Sequence, residues 1–291
     1  MKIGLLISGH LGYTILQKFF NEQNLEFVFT DSQSKKIIDY CSLNKLHCFV
    51  GNPRKINYQD FLLNKSIDLL LSVNYLFIIP RVLLDHPLKY AINIHGSLLP
   101  KYRGRTPHVW AIINNEKETG VTAHLMSDKC DEGDIILQHR IVIDENATGN
   151  DLLKKYENIY PLIVKEVISL VEAGNILGRK QNELYASYFG KRTPEDGLIN
   201  WDWQKERIRN WVRAMAAPYP GAFAYYSGKK IIINKVVFSD YGFNLDQPNG
   251  QIRIIDNAIF VKTPNGLVQL ADYSAENNIQ FKDQEIFDIH N

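Results

Sequence analysis

Cysteine is scarce: the 291 residues hold three, Cys41, Cys48 and Cys130, with no CxxC spacing among them. That scarcity excludes a disulfide framework and thiolate zinc sites, and fits a reducing compartment. No apolar run approaches the roughly 20 residues needed to cross a bilayer. Met1-Lys2 leads straight into a short apolar strand, so neither export nor membrane insertion is expected and the cytoplasm is the expected location. An excess of charge of one sign is missing too, with 33 Lys and Arg against 32 Asp and Glu and a formal net charge of +1. Without a global field to draw in a long polyanion, nucleic acid is not an expected partner, and any phosphate must be met by a local patch. Gly9-His10-Leu11-Gly12 lacks the full GxGxxG fingerprint and a well-placed acid, so these glycines are expected only to make a strand-to-helix turn.

What is present has the balance of a folded enzyme, 45% hydrophobic and 22% charged, with length for one large domain or two modest ones. Ile3 to Ile7, Leu25 to Thr30, Asp68 to Val73 and Tyr90 to Ile94 are near-continuous apolar strands. Helical spacing separates them over Tyr13 to Phe20 and Lys35 to Asn44. This alternation predicts an α/β fold with a Rossmann-like, mostly parallel sheet. Pro107 to Lys117 reads as a helix, Gly120 to Met126 and Ile135 to Ile143 as strands, and Asp151 to Asn175 as a long helix interrupted at Pro161. We expect a first domain over residues 1–180.

Residues 181–291 begin as an extended connector, followed by a helix over Asp202 to Ala217. Short strands then follow over Ala222 to Tyr226, Lys230 to Phe238, Gln251 to Ile255, Ala258 to Lys262 and Leu267 to Leu270. Turn signals at Ser227-Gly228, Asn249-Gly250, Asp256-Asn257 and Pro264-Asn265-Gly266 separate them, which predicts a small antiparallel, barrel-like (OB-like) domain.

The chemistry concentrates where the fourth of these predicted strands ends. Asn93 and His95 are two residues apart on a strand, hence on one face, and can converge on one reacting atom. Beyond them a Gly-Ser-Leu-Leu-Pro turn opens onto the cations Lys101, Arg103 and Arg105. A polar pair beside an anion site suggests a transferase acting on a phosphorylated substrate. Downstream, the acid-rich loop Ser127 to Asp134 reads as a solvated turn, a metal loop or a catalytic loop. The calcium pattern of alternate ligands with a closing Glu is missing, and no metal is expected.

Three blocks in order, Asn93-Ile94-His95-Gly96-Ser97-Leu98-Leu99-Pro100, Glu118-Thr119-Gly120-Val121-Thr122 and Asp131-Glu132-Gly133-Asp134-Ile135, resemble the folate-dependent formyltransferases. The stretch Arg192 to Gly197, with Ile199-Asn200-Trp201 and Arg213 to Phe223, resembles the junction in longer members. The resemblance implies Asn93, His95 and Asp131 as the catalytic residues and 10-formyltetrahydrofolate as the formyl donor. An amine attacks the formyl carbon, an oxyanion develops, and a proton leaves the nitrogen before the folate amine departs. Asn93 suits a donor to the oxyanion, and His95 suits a donor or a proton exchanger. Asp131 either orients His95 and stabilises its cation or relays the amine proton through water. The resemblance also implies that the backbone of Leu69 to Pro80, with Val73, Tyr75 and Phe77, and the loop from Asp128 cradle the pterin.

Among acceptors, methionyl-tRNA formyltransferases resemble longer proteins with a basic inserted loop, whereas Thr30 to Ser34 is short and not basic. Glycinamide ribonucleotide formyltransferases normally stop near the end of the catalytic domain. The resemblance is therefore strongest to nucleotide-sugar N-formyltransferases, implying a dTDP-linked amino sugar as partner, first dTDP-4-amino-4,6-dideoxyglucose, then its 3-amino isomer or UDP-4-amino-arabinose. Such sugars feed bacterial surface polysaccharides, lipopolysaccharide O-antigen among them. In that reading Lys101, Arg103 and Arg105 clamp the diphosphate, Tyr219 and Phe223 are candidates to stack on the base, and the tail supports a homodimer. The alternatives are a methionyl-tRNA formyltransferase and a non-catalytic binding module on the same fold.

Overall fold

The first strand, β1 (Lys2–Ile7), is buried from Ile3 onward, and such an unbroken apolar run needs cover on both faces. The computed structural model, which describes residues 1–20, 24–275 and 279–288, places β1 inside a seven-stranded sheet. Helix α1 (Gly9–Phe20) follows directly, so Gly9 and Gly12 lie in its first turns rather than in a phosphate loop. Then come β2 (Asn24–Thr30), α2 (Lys35–Leu43), β3 (Cys48–Val50), α3 (Gln59–Leu62), β4 (Leu69–Val73), α4 (Arg81–Leu84) and β5 (Tyr90–His95). The pair β6 (Arg103–Gly104), helix α5 (Pro107–Ile113), β7 (Glu118–Leu125), β8 (Ile135–Val142) and helix α6 (Gly149–Glu172) complete the first half.

The sheet order is β3-β2-β1-β4-β5-β7-β8, with parallel ladders from β3 to β5 and an antiparallel one between β5 and β7. Chain order reverses between β1 and β4, and open sheets of this kind bind ligands outside the carboxyl ends of their strands. Leu6, Phe27, Phe29, Phe49, Ile67, Leu70 and Leu83 form one buried cluster, each worth roughly 1.5–3 kcal/mol of burial. Strand β3 is missing from the sequence reading: three residues are too few to show a period, and pairing of Cys48–Val50 with Val28–Thr30 creates it.

Helix α6 runs through Pro161, where the sequence predicts an interruption. Leu152, Tyr156, Tyr160, Ile163, Val164, Val167, Ile168 and Val171 form one buried stripe along it. At about 1.5–3 kcal/mol each, that burial outweighs the roughly 3 kcal/mol cost of an interior proline. Thr148 and Asp151 exchange side-chain-to-backbone bonds of 3.2 and 2.9 Å at its start, which satisfies two N-terminal donors.

The expected connector holds a second short strand, β9 (Tyr188–Phe189), which pairs in parallel with β6. Helix α7 (Lys205–Ala214) precedes β10 (Ala222–Tyr226), β11 (Lys229–Phe238), β12 (Ile252–Ile255), β13 (Ala258–Thr263) and β14 (Gly266–Ala275). These form the predicted small antiparallel β domain, in the order β10-β11-β14-β13-β12. Its two edges are covered from one tail: Gln284 and Glu285 bond to Ile252 beside one edge, and Asp288 N donates to Tyr225 O on the other. An edge so occupied no longer offers a free row of donors and acceptors.

The chain clusters into two compact units that interleave in sequence. One comprises Met1–Pro107, Thr119–Val142 and Lys154–Phe189, and the other His108–Glu118, Ile143–Leu153 and Gly190–Asn291. The first unit thus reaches Phe189, past the expected boundary at 180, because β9 belongs with β6.

Candidate active site

Antiparallel pairing of β5 with β7 sets Asn93 opposite His124 and His95 opposite Thr122. Thr122 supports the turn after β5. Its Oγ1 donates to Ser97 O at 2.6 Å and accepts from Leu99 N at 3.2 Å and from Gln138 Nε2 at 2.8 Å. Tyr156 Oη donates to Gly96 O at 2.6 Å from the side of α6. The Gly-Ser-Leu-Leu-Pro turn therefore has one conformation, and Asn93 and His95 enter the site from a rigid strand end.

Asp131 arrives from the loop between β7 and β8. Gly133 makes that approach possible, since a Cβ there would sit 1.7 Å from Leu125 O, on backbone that cannot yield. Asp131 Oδ1 faces Asn93 Nδ2 at 3.4 Å and His124 Nε2 at 3.5 Å, while Oδ2 faces His95 Nδ1 at 3.6 Å and accepts from Gly104 N at 2.9 Å. Cys130 Sγ also donates to Oδ2 at 3.3 Å. Burial by itself would raise the Asp131 carboxyl. The charge of His95, the hydrogen bond and charge of His124 and the Gly104 N–H override it and hold the group well below the usual carboxylate range. The carboxylate is thus an ionised hub with a side chain only 10% exposed.

A carbonyl partner fixes the orientation of each imidazole. Tyr102 O can only accept, so His95 Nε2, 2.8 Å away, carries a proton and Nδ1 is the nitrogen turned to Asp131. Leu125 O, 2.9 Å from His124 Nδ1, likewise places a proton there and turns Nε2 toward Asp131 Oδ1, with Asn93 Nδ2 3.1 Å away. The sequence reading missed His124. The signal was legible, because it stands two residues beyond Thr122 in a matched block and therefore on the same strand face.

The expected substrate cations part company here. Arg103 is 0% exposed and wholly engaged by its own chain: Gln181 Oε1 accepts from Nε and Nη2, the Glu183 carboxylate takes a bidentate pair at 2.7 and 2.9 Å, and Tyr188 Oη is a further partner. It is not a diphosphate ligand, which corrects that expectation; its neighbours come from the segment read as a connector. Lys101 is exposed, and Arg105 is exposed with Nη2 donating to Leu76 O. Phe223 is buried under Lys230, whose Nζ lies 3.8 Å from its ring centroid, so it is core rather than a base platform. Tyr219, in the same unit, bonds His108 through its hydroxyl, and burial pushes that phenol up to about 12.

Of the expected pterin residues, Val73 is fully buried at the end of β4 and offers only backbone. Tyr75 and Phe77 meet edge to face with centroids 5.5 Å apart. Tyr75 Oη is buried and lacks a hydrogen-bond partner within the described structure, an unspent polar group at the carboxyl edge of the sheet. Asp128 is exposed and paired with Arg81 at 3.1 Å, a contact that solvent screens. Among the described residues there is no His, Cys, Asp and Glu group with metal-binding geometry, and no helix is long and apolar enough to cross a membrane.

Residues 28–168 match the formyl transferase family, and residues 191–291 match the formyl transferase C-terminal domain. The bifunctional polymyxin resistance protein ArnA of Wigglesworthia glossinidia brevipalpis is 37% identical over 254 residues, which cover 82% of this chain and 37% of that protein. The chain therefore spans little more than a third of that relative. The sugar 3N-formyl transferase WlaRD superposes with a TM-score of 0.69 at 22% identity, over 96% of this chain and 99% of that one. The methionyl-tRNA formyltransferase of Clostridium thermocellum does so with a TM-score of 0.59 at 18% identity, over 96% and 100%. At such identities the two structures speak to the fold alone. Together with the Asn93, His95 and Asp131 cluster at the strand ends, the two family matches show that this chain belongs to the formyl transferase family.

Proposed function

We propose that the protein moves a formyl group from 10-formyltetrahydrofolate to the primary amine of a nucleotide-linked amino sugar. The observation that carries this reading is the convergence of Asn93, His95 and His124 on the ionised Asp131 carboxylate, a constellation that binding alone does not require. Asn93 Nδ2 is the donor suited to the formyl oxygen as negative charge develops there. His95 spends Nε2 on Tyr102 O, so a proton passing through this imidazole uses Nδ1, on the Asp131 side. Asp131 accordingly receives the proton that the amine gives up, with His95 oriented against it, and the proton passes on to the folate nitrogen as its bond to the formyl carbon breaks. The pterin fits the carboxyl edge of β4, where Tyr75 Oη is the unspent group and Phe77 a wall. WlaRD, which shares the fold, was crystallised with dTDP and 5-N-formyl-THF, the ligand classes that this reading invokes.

Lys101 and Arg105 remain as the diphosphate pair. Arg105→Ala should raise the Michaelis constant for the sugar by about 10-fold, the worth of a charge-assisted bond, with little change in kcat. An unchanged constant removes Arg105 from the clamp. The acceptor is read by a panel with 10-formyltetrahydrofolate, following folate absorbance against dTDP-4-amino-4,6-dideoxyglucose, its 3-amino isomer, UDP-4-amino-arabinose and charged initiator tRNA. Turnover is expected with the first sugar, and turnover on the tRNA alone would overturn the reading. Chain length does not separate these cases, because the tRNA enzyme of C. thermocellum is covered over 100% of its length.

A further inference from the structure

Asp131 holds φ at +57°, in the left-handed region that few non-glycine residues enter, Asp and Asn more readily than most. Two backbone carbonyls of its loop, Asp131 O and Gly133 O, point at one side-chain amide: Gln181 Nε2 donates to both at 2.7 Å. The amide's orientation is unambiguous. Its oxygen faces Arg103 Nε at 3.1 Å and Nη2 at 2.8 Å, and a guanidinium only donates, so the NH2 group must be the one turned to the carbonyls. Arg103 is locked in turn by Glu183 and by Tyr188, whose hydroxyl donates to Glu132 Oε1 at 2.7 Å, next to Asp131. The backbone around Arg103 also touches both reacting groups. Tyr102 O meets His95 Nε2, Gly104 N meets Asp131 Oδ2, and the Tyr102 ring stacks on Phe189 at 4.9 Å.

We propose that Gln181, held by the buried Arg103, is the positioning residue of the catalytic loop: it fixes the Asp131 backbone in its left-handed turn and so aims the carboxylate at His95 and the Gly104 amide. The inference rests on the formyl-transfer reading of the site and deepens it. Gln181 touches neither reacting carbon nor amine and acts only through Asp131. Without its two bonds the loop loses the donors that offset an unfavourable φ, and relaxation of Asp131 toward negative φ swings the carboxylate away from Gly104 N and His95 Nδ1. The segment 181–189 is therefore part of the catalytic unit, and its chemistry is the alignment of one carboxylate.

Two substitutions test this. Gln181→Leu removes every polar contact at nearly constant volume. Gln181→Glu keeps an oxygen for Arg103 but turns a second oxygen on the Asp131 and Gly133 carbonyls. Both should lower kcat by about 100-fold, the cost of a misplaced reacting group, while KM for folate and for the sugar stays within about twofold. The Asp131 carboxyl carbon in 13C-aspartate-labelled enzyme, assigned by its loss in Asp131→Asn, should titrate at higher pH in both variants than in the parent. A rise in KM with kcat unchanged, or an Asp131 titration that does not move in a folded variant, overturns the proposal. If the Leu variant fails to fold, the isosteric Glu variant decides alone. Should the parent turn over no amine at all, the formyl-transfer reading fails, while the carboxyl titration, which needs no substrate, still judges the role of Gln181.

Discussion

Asp131→Asn is expected to lower kcat by about 1,000-fold, within the range assigned to a positioned acid or base, with the fold intact. The amide is nearly isosteric but cannot take charge, and it turns an NH2 toward groups that themselves donate. Gly104 N, Cys130 Sγ and Asn93 Nδ2 all donate to the carboxylate, so either orientation of the new amide meets at least one donor. The same substitution should flatten part of the acid limb of stability. The folded Asp131 carboxyl lies below its ordinary value, so the fold binds its proton less readily than the unfolded chain. Its contribution is therefore complete above about pH 4, the unfolded value, and is lost as pH falls through the lower folded value. Denaturant midpoints from pH 7 to pH 2 should fall less steeply in the variant than in the parent. A variant that keeps kcat within tenfold would sink the assignment of Asp131 as the charge-bearing group.

Gly133→Ala should damage stability and turnover together. A Cβ at 133 would stand 1.7 Å from Leu125 O and 2.7 Å from the carbonyl carbon, and both belong to β7, which is tied to β5. Relief requires moving the loop, and overpacking against backbone costs at the upper end of the usual range, about 3 kcal/mol. The displaced segment carries Asp131 two residues upstream, so a shift of about 1 Å should also remove roughly 100-fold from kcat. Thermal denaturation and initial rates measured on the same preparation check both halves. An alanine variant with parental melting temperature and parental rate would mean that the loop does not need the close approach to β7.

The organisation of the first unit was legible because its signals are local. Ile3 to Ile7, Leu25 to Thr30 and Leu69 to Val73 are apolar without alternation, which only a sheet covered on both faces tolerates. The strands of the β domain were legible from turn dipeptides, down to Ala222–Tyr226 at its observed ends. Asn93 and His95 followed from the period of two. Length scale explains the failures. Strand β3 is too short to carry a period, and Pro161 carries a strong local signal that eight buried neighbours along α6 override.

By itself, then, the sequence determined that a polar pair ends a buried parallel strand and that an acidic loop lies downstream, because strand period and apolar continuity are properties of neighbours in the chain. Only the tertiary structure decided which charges are available. Arg103 and Arg105 are alike in sequence, yet Arg103 is consumed by partners 78 to 85 residues away while Arg105 stays exposed. His124 joined the site through the β5–β7 register, and Gln181 through a loop 50 residues removed. A buried charge or amide must find its partner wherever the fold delivers one, since leaving it unpaired costs about 1–3 kcal/mol or more, and that pairing follows no local period.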